Sequence, residues 1–172
     1  MKMKKVVLAA LLAFPVTTLA DPAPFGLEIG KATIKDVKAK FGAERTGINK
    51  YSNGEMFDLD VSSINFDGLQ KATVIFSQDG KLLAVLTTLP KHKFDYLMSN
   101  LSSKYKVVSK NIPFVGNKSA KLVDGNTEIT LEAPHLSFEM EMNYINKGLW
   151  KSYKSQSTDE QKKKQQSEAS LL

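Results

Sequence analysis

Apolar and polar positions change period repeatedly along this chain, and each change marks an element. Val6 to Phe14 is an unbroken apolar run behind three lysines. Phe25, Leu27 and Ile29 then alternate with Gly26, Glu28 and Gly30, a short extended lead-in. Ile34, Val37 and Phe41 share one helical face. Thr33 stands at the N-cap with Asp36 three residues on, and Gly42 closes the helix. The period drops to two beyond it. Asn53-Gly54 marks a hairpin turn, and Phe57, Leu59 and Val61 alternate with Asp58, Asp60 and Ser62. Strands over 72–77 and 82–89, joined at Gln78-Asp79-Gly80, are apolar at consecutive positions, as in strands covered on both faces.

A helical stripe returns with Phe94, Leu97, Met98, Leu101 and Tyr105. Strand patterns follow over 106–109, 120–123, 127–132 and 136–144. In the last, Phe138, Met140, Met142 and Tyr144 alternate with Glu139, Glu141 and Asn143. The order predicts an α+β fold of two tandem repeats, over 26–89 and 90–145, each a helix followed by an antiparallel sheet of about four strands, sharing one core. The domain spans 21–153. A polar tail, 154–172, is either disordered or a solvated helix.

Composition adds a destination. A basic start, the apolar run to Phe14 and Thr18-Leu19-Ala20 have the layout of an export leader over 1–20, cleaved near Ala20. The expected location is periplasmic or secreted. Without Lys2, Lys4 and Lys5 the remainder has 21 basic and 18 acidic residues. That is too balanced for the dense basic face that nucleic acid requires. No later apolar stretch is long enough to be a transmembrane segment. The chain has no cysteine, which removes disulfides, thiolate nucleophiles and thiolate metal sites.

Gly30-Lys31-Ala32-Thr33-Ile34-Lys35-Asp36-Val37, ending at Phe41-Gly42, resembles a phrase of small bacterial envelope proteins. It is similar to the outer-membrane-assembly small lipoproteins and to proteins with the β-lactamase-inhibitor-protein fold. It departs from them in the extra Ala32 and in lacking the lipoprotein cysteine. The resemblance implies a scaffold of tandem helix-plus-sheet repeats that binds other proteins. The shared residues cap and pack, so they carry no active site.

Candidate chemistry is sparse. His92 and His135 stand apart with no ligand-spaced partner and read as surface residues. No nucleophile elbow, phosphate loop or dinucleotide fingerprint occurs, so no cofactor, metal or catalytic residue is assigned. Glu128, Glu132, Glu139 and Glu141 would share one strand face if 127–144 forms a hairpin. Such a face suits a basic partner surface, a cation or, as paired acids, glycoside hydrolysis; the plain alternative is solvated carboxylates. Met98, Met140 and Met142 coincide with core positions. Ile75, Leu83 and Val85 form one parity of the doubly apolar strands. They are either covered by the rest of the chain, with Leu149-Trp150-Tyr153 as one cover, or open as a partner face. The resulting expectation is a non-enzymatic periplasmic binding module, accessory or inhibitor-like, that contacts another envelope protein through an exposed sheet face. A small-ligand carrier and a hydrolase using surface carboxylates are the alternatives.

Overall fold

The computed structural model describes residues 20–171. The leader lies outside them apart from Ala20. In chain order the elements are α1 (Ile34–Lys40), β1 (Ala43–Ile48), β2 (Asn53–Leu59), β3 (Lys71–Ser77), β4 (Leu82–Pro90) and α2 (Phe94–Ser102). They continue with β5 (Lys106–Asn111), β6 (Lys118–Asp124), β7 (Thr127–Ala133), β8 (Glu139–Asn146) and α3 (Lys147–Ala169).

The strands form one antiparallel sheet in the order β1-β2-β3-β4-β8-β7-β6-β5. This corrects the expectation of two helix-plus-four-strand repeats. β4 and β8 pair continuously from Ala84↔Ile145 to Pro90↔Glu139, so hydrogen bonds cross the middle of the sheet without a seam. A third helix of 23 residues follows β8 directly and continues through the segment read as a tail. The α+β class itself holds.

One face of the sheet carries the main core. α1 contributes Val37 and Phe41, and α2 contributes Phe94, Leu97, Met98 and Leu101. They pack on Val74, Phe76, Val85, Leu131, Met140 and Met142. Thr33 caps α1 through a reciprocal box: its Oγ1 accepts from Asp36 N at 3.3 Å, and its own N donates to Asp36 Oδ2 at 2.8 Å. Lys118 reaches Asp95 at 3.2 Å and ties α2 to β6. Asp21 Oδ1 accepts from Asn126 N (2.6 Å) and Thr127 Oγ1 (3.1 Å), anchoring the start of the domain to the β6–β7 turn.

Two local readings change. The turn before β2 begins at Asn49 and runs through 50–52 into Asn53, which has the left-handed φ of 54° that its turn chemistry suits, while Asn49 N donates to the Gly54 carbonyl at 2.8 Å. Asn49 Oδ1 accepts from Tyr51 N and Ser52 N at 2.9 and 3.0 Å, and the Asn49 carbonyl accepts from Asn53 N at 2.8 Å. Gly54 instead sits inside β2, where a Cβ would lie 2.0 Å from the carbonyl oxygen of Phe76. Phe138 is not an inward strand residue: it precedes β8 and is 94 % exposed. The outermost strands are blunted by register shifts, at Arg45/Gly47 in β1 and Val107/Ser109 in β5.

Candidate functional site

The second face of the sheet grades from apolar to acidic, and strand register explains why. Across β3, β4, β8 and β7 one row reads Ile75, Ala84, Ile145, Glu128. The next reads Thr73, Leu86, Asn143, Thr130, and the third Lys71, Thr88, Glu141, Glu132. α3 begins at the Asn146 cap, whose Oδ1 accepts from Gly148 N at 2.8 Å. Leu149, Trp150 and Tyr153 then fold back over the first row. Leu149 is buried against Ile75 and Ala84.

Between α3 and the two polar rows lies a cleft of about 480 Å³. One wall is apolar and aromatic: Tyr51, Ile75, Leu86, Leu149, Trp150 and Tyr153. Trp150 stacks on Tyr153 at 5.2 Å, and Tyr51 meets Tyr153 edge-on at 5.1 Å. The opposite wall holds Lys121, Glu128, Thr130, Glu132, Glu141 and Asn143. Lys50 reaches from the β1–β2 turn to Glu160 of α3 at 3.0 Å and braces the helix on its outer side.

The carboxylates are not equivalent. Glu128 is 8 % exposed, and Lys121 Nζ lies 2.9 Å from its Oε1. That contact is a close ion pair without hydrogen-bonding direction, so the buried oxygen keeps no hydrogen-bond partner. Glu132 and Glu141 stand directly opposite one another, an arrangement that costs stability in a sheet. Among the described residues neither forms an ion pair with a lysine or arginine. Glu141 Oε2 accepts only from Asn143 Nδ2, at 3.2 Å. Burial, and then the charge on Glu141, push the Glu132 carboxyl above its ordinary range. Trp150 also keeps its buried indole N–H without an acceptor. The cleft therefore presents uncompensated negative charge beside an aromatic, apolar wall.

Of the residues singled out in the sequence, Ile75, Glu128, Glu132 and Glu141 line this cleft. Glu139 lies on the β8 face of Glu141, in a smaller hollow with Thr88, Pro134 and Ser137. Leu83 is half-buried on the α3 side and packs with the Ile75–Ala84–Leu149 group. Val85 does not belong with them. It is fully buried in the main core on the opposite face. The β3–β4 register shifts between Ile75↔Ala84 and Phe76↔Leu82, so Leu83 is an extra residue and every parity count across it flips. Ile75 is 7 % exposed beneath Leu149, so of the two readings of this face, covered by the segment from Leu149 or open to a partner, the structure has the covered one. Pattern reading singled out neither Lys121 nor Thr130 nor Asn143, whose role follows only from register.

His92 and His135 are exposed and away from the cleft. Among the described residues no group of three or more acidic or histidine side chains is placed to hold a metal ion. No helix among them is long and apolar enough to cross a membrane. Compared with protein-family models, with curated proteins and with solved structures, the chain gives no match. The resemblance of the Gly30–Gly42 phrase therefore rests on those residues alone.

Proposed function

We propose that this chain is a binding module whose cleft takes a cation carried on an apolar stem, an alkylammonium or guanidinium group. The observation that carries this is the Glu132–Glu141 pair, two opposed carboxylates with no cation of their own, facing Trp150 and Tyr153 across the cleft. A bound cation would relieve their repulsion and lie beside the Trp150–Tyr153 stack, where Lys154 Nζ already sits 5.1 Å from the Trp150 ring centroid. The apolar stem would lie on Ile75, Leu86 and Leu149. The cleft volume falls in the range of small-ligand sites.

The role is one of binding, with no catalytic residue assigned. The leader-like residues 1–20 support a place outside the cytoplasm. The expectation of an envelope partner takes a narrower form: a partner would offer a lysine or arginine side chain to the cleft. A free amine is the other source of the same chemistry.

Calorimetric titration with hexylammonium, hexanol and hexanoate tests the proposal, and a short lysine-bearing peptide distinguishes the two sources. The expected order places the ammonium first and the carboxylate last, with Glu132→Gln/Glu141→Gln abolishing the difference. Equal binding of ammonium and carboxylate, or of ammonium by both proteins, would overturn it.

A further inference from the structure

Acidic surface continues past the cleft. Glu132 and Glu141 also line the adjoining hollow with Thr88 and Glu139, so one acidic trough runs on along β8. Among the described residues none of these three carboxylates forms an ion pair. Of the lysines around the trough, Lys121 is held by Glu128 and Lys71 by Asp58. Lys91 donates to the carbonyls of Pro134 and His135, which leaves its charge in play. Three carboxylates against Lys91 leave an excess of two negative charges.

The opposite charge stands free on the far half of α3. Leu149 and Tyr153 fix the start of the helix, and Lys50 pairs with Glu160. Beyond that point every side chain from 161 to 171 is exposed. Residues 161–169 carry Lys162, Lys163 and Lys164 against Glu168, an excess of two positive charges. Lys164 lies 4.0 Å from Glu168, while Lys162 and Lys163 form no ion pair among the described residues. A helix that is polar on all sides and packs on nothing needs several internal ion pairs or something to bridge to. This one has a single pair. The two charges cannot meet within one chain: α3 passes from Ile75 to the β1–β2 turn, away from β7 and β8, and Lys162 stands about 18 Å along it from Trp150.

We infer that the α3 end of one copy lies in the acidic trough of a second copy, and the reverse, as a two-fold pair. This rests on the reading that the cleft takes a cation on an apolar stem, and it names the source: Lys162 and Lys163 of the second copy. Charge complementarity selects that occupant, because each copy carries an excess of two negative charges in its trough and two positive charges on its helix end. A two-fold interface makes the same contact twice, so both halves of the contact must stand on one chain, as they do here. A foreign basic protein would fill the trough and leave the helix end with nothing to bridge to. The contacts are exposed ion pairs, so the pair is weak and sensitive to salt.

Sedimentation equilibrium from about 10 µM to about 1 mM chain tests this. The expected result is a dimer that grows with concentration, weakens by about tenfold or more as salt rises from about 0.05 to about 0.5 M, and dissociates when hexylammonium fills the cleft. Glu132→Lys/Glu141→Lys and Lys162→Glu/Lys163→Glu should each be monomeric alone. Mixed in equal amounts they should pair with one another, because both contacts then join opposite charges again. All four positions are exposed, so the far-UV spectra should not change. A chain that stays monomeric while binding hexylammonium overturns this inference and leaves the cleft proposal standing; one that neither pairs nor binds overturns both. Pairing that survives either reversal or excess hexylammonium, or reversed variants that stay apart when mixed, also overturns it.

Discussion

α3 meets the rest of the chain through little apolar surface, and Leu149→Ala asks how that helix is held. Leu149 is its one buried residue among those described. Trp150 is half-buried and Tyr153 is 39 % exposed. Burying one leucine and parts of two aromatic rings contributes about 4–5 kcal/mol before the cost of ordering the segment. Truncating a buried leucine to alanine costs about 2–5 kcal/mol. The low end applies here because the cleft beside Leu149 lets solvent in. A loss of about 2 kcal/mol is a large share of the docking energy, and corresponds to roughly a 30-fold gain in helix opening. The sheet should hold, since Phe76, Val85 and Leu131 pack against α1 and α2 on the other face. Native-state hydrogen exchange reads both quantities at once. Protection over 150–160 should fall by roughly that factor while β3, β4, β7 and β8 keep theirs, and Trp150 emission should move to the red. Unchanged exchange in α3 would mean that other contacts hold the helix. Loss of protection in the sheet, in step with α3, would mean that α3 belongs to the global folding unit. Either result refutes the reasoning.

Other expectations follow from single contacts. Gly54→Ala places a methyl 2.0 Å from Phe76 O and 2.5 Å from Ser77 O, so β2 and β3 must separate there; urea denaturation should show a loss of about 3 kcal/mol or more, and a loss near zero would contradict the contact. Thr33→Ala removes the α1 capping box and should cost about 1 kcal/mol, seen as a melting point lower by a few degrees. The Glu132 carboxyl is raised in the folded state, so the folded chain binds more protons than the unfolded one between the ordinary glutamate value and the raised one. Stability from this group is therefore full below that window and falls as pH rises through it. Glu132→Gln should flatten this part of the stability–pH curve, and ammonium binding by the unaltered chain should strengthen with pH across the same window.

Features carried by a local period were legible in the sequence. The α2 stripe of Phe94, Leu97, Met98 and Leu101 is buried as its spacing requires, and Thr33 caps with Asp36. Features that depend on distant pairing were not. Nothing near Ala84 or Ile145 announces that β4 and β8 join, since that pairing brings together residues 61 positions apart. Val85 was misplaced because the bulge at Leu83 adds a residue to the backbone without altering the polarity pattern. Asn53 does take the left-handed backbone of a turn residue, but the turn starts earlier, at the Asn49 side chain, and Gly54 serves close strand packing. The four glutamates were visible as an alternating face. Leu149-Trp150-Tyr153 was legible as a cover for a sheet face, but the cleft was not, because only the β4–β8–β7 pairing brings the acidic positions beside that cover.

The chain has a single tryptophan, so its spectrum holds one indole N–H resonance, and that group is the unpartnered donor of Trp150 beside the cleft. Following this resonance during a hexylammonium titration tests the binding proposal most directly. The account predicts a saturable shift, shared by the amides of Thr130 and Asn143, and absent when Glu132→Gln/Glu141→Gln replaces the carboxylates. An indole signal that stays fixed while the ammonium binds elsewhere, or that moves equally in the neutralised variant, would contradict it.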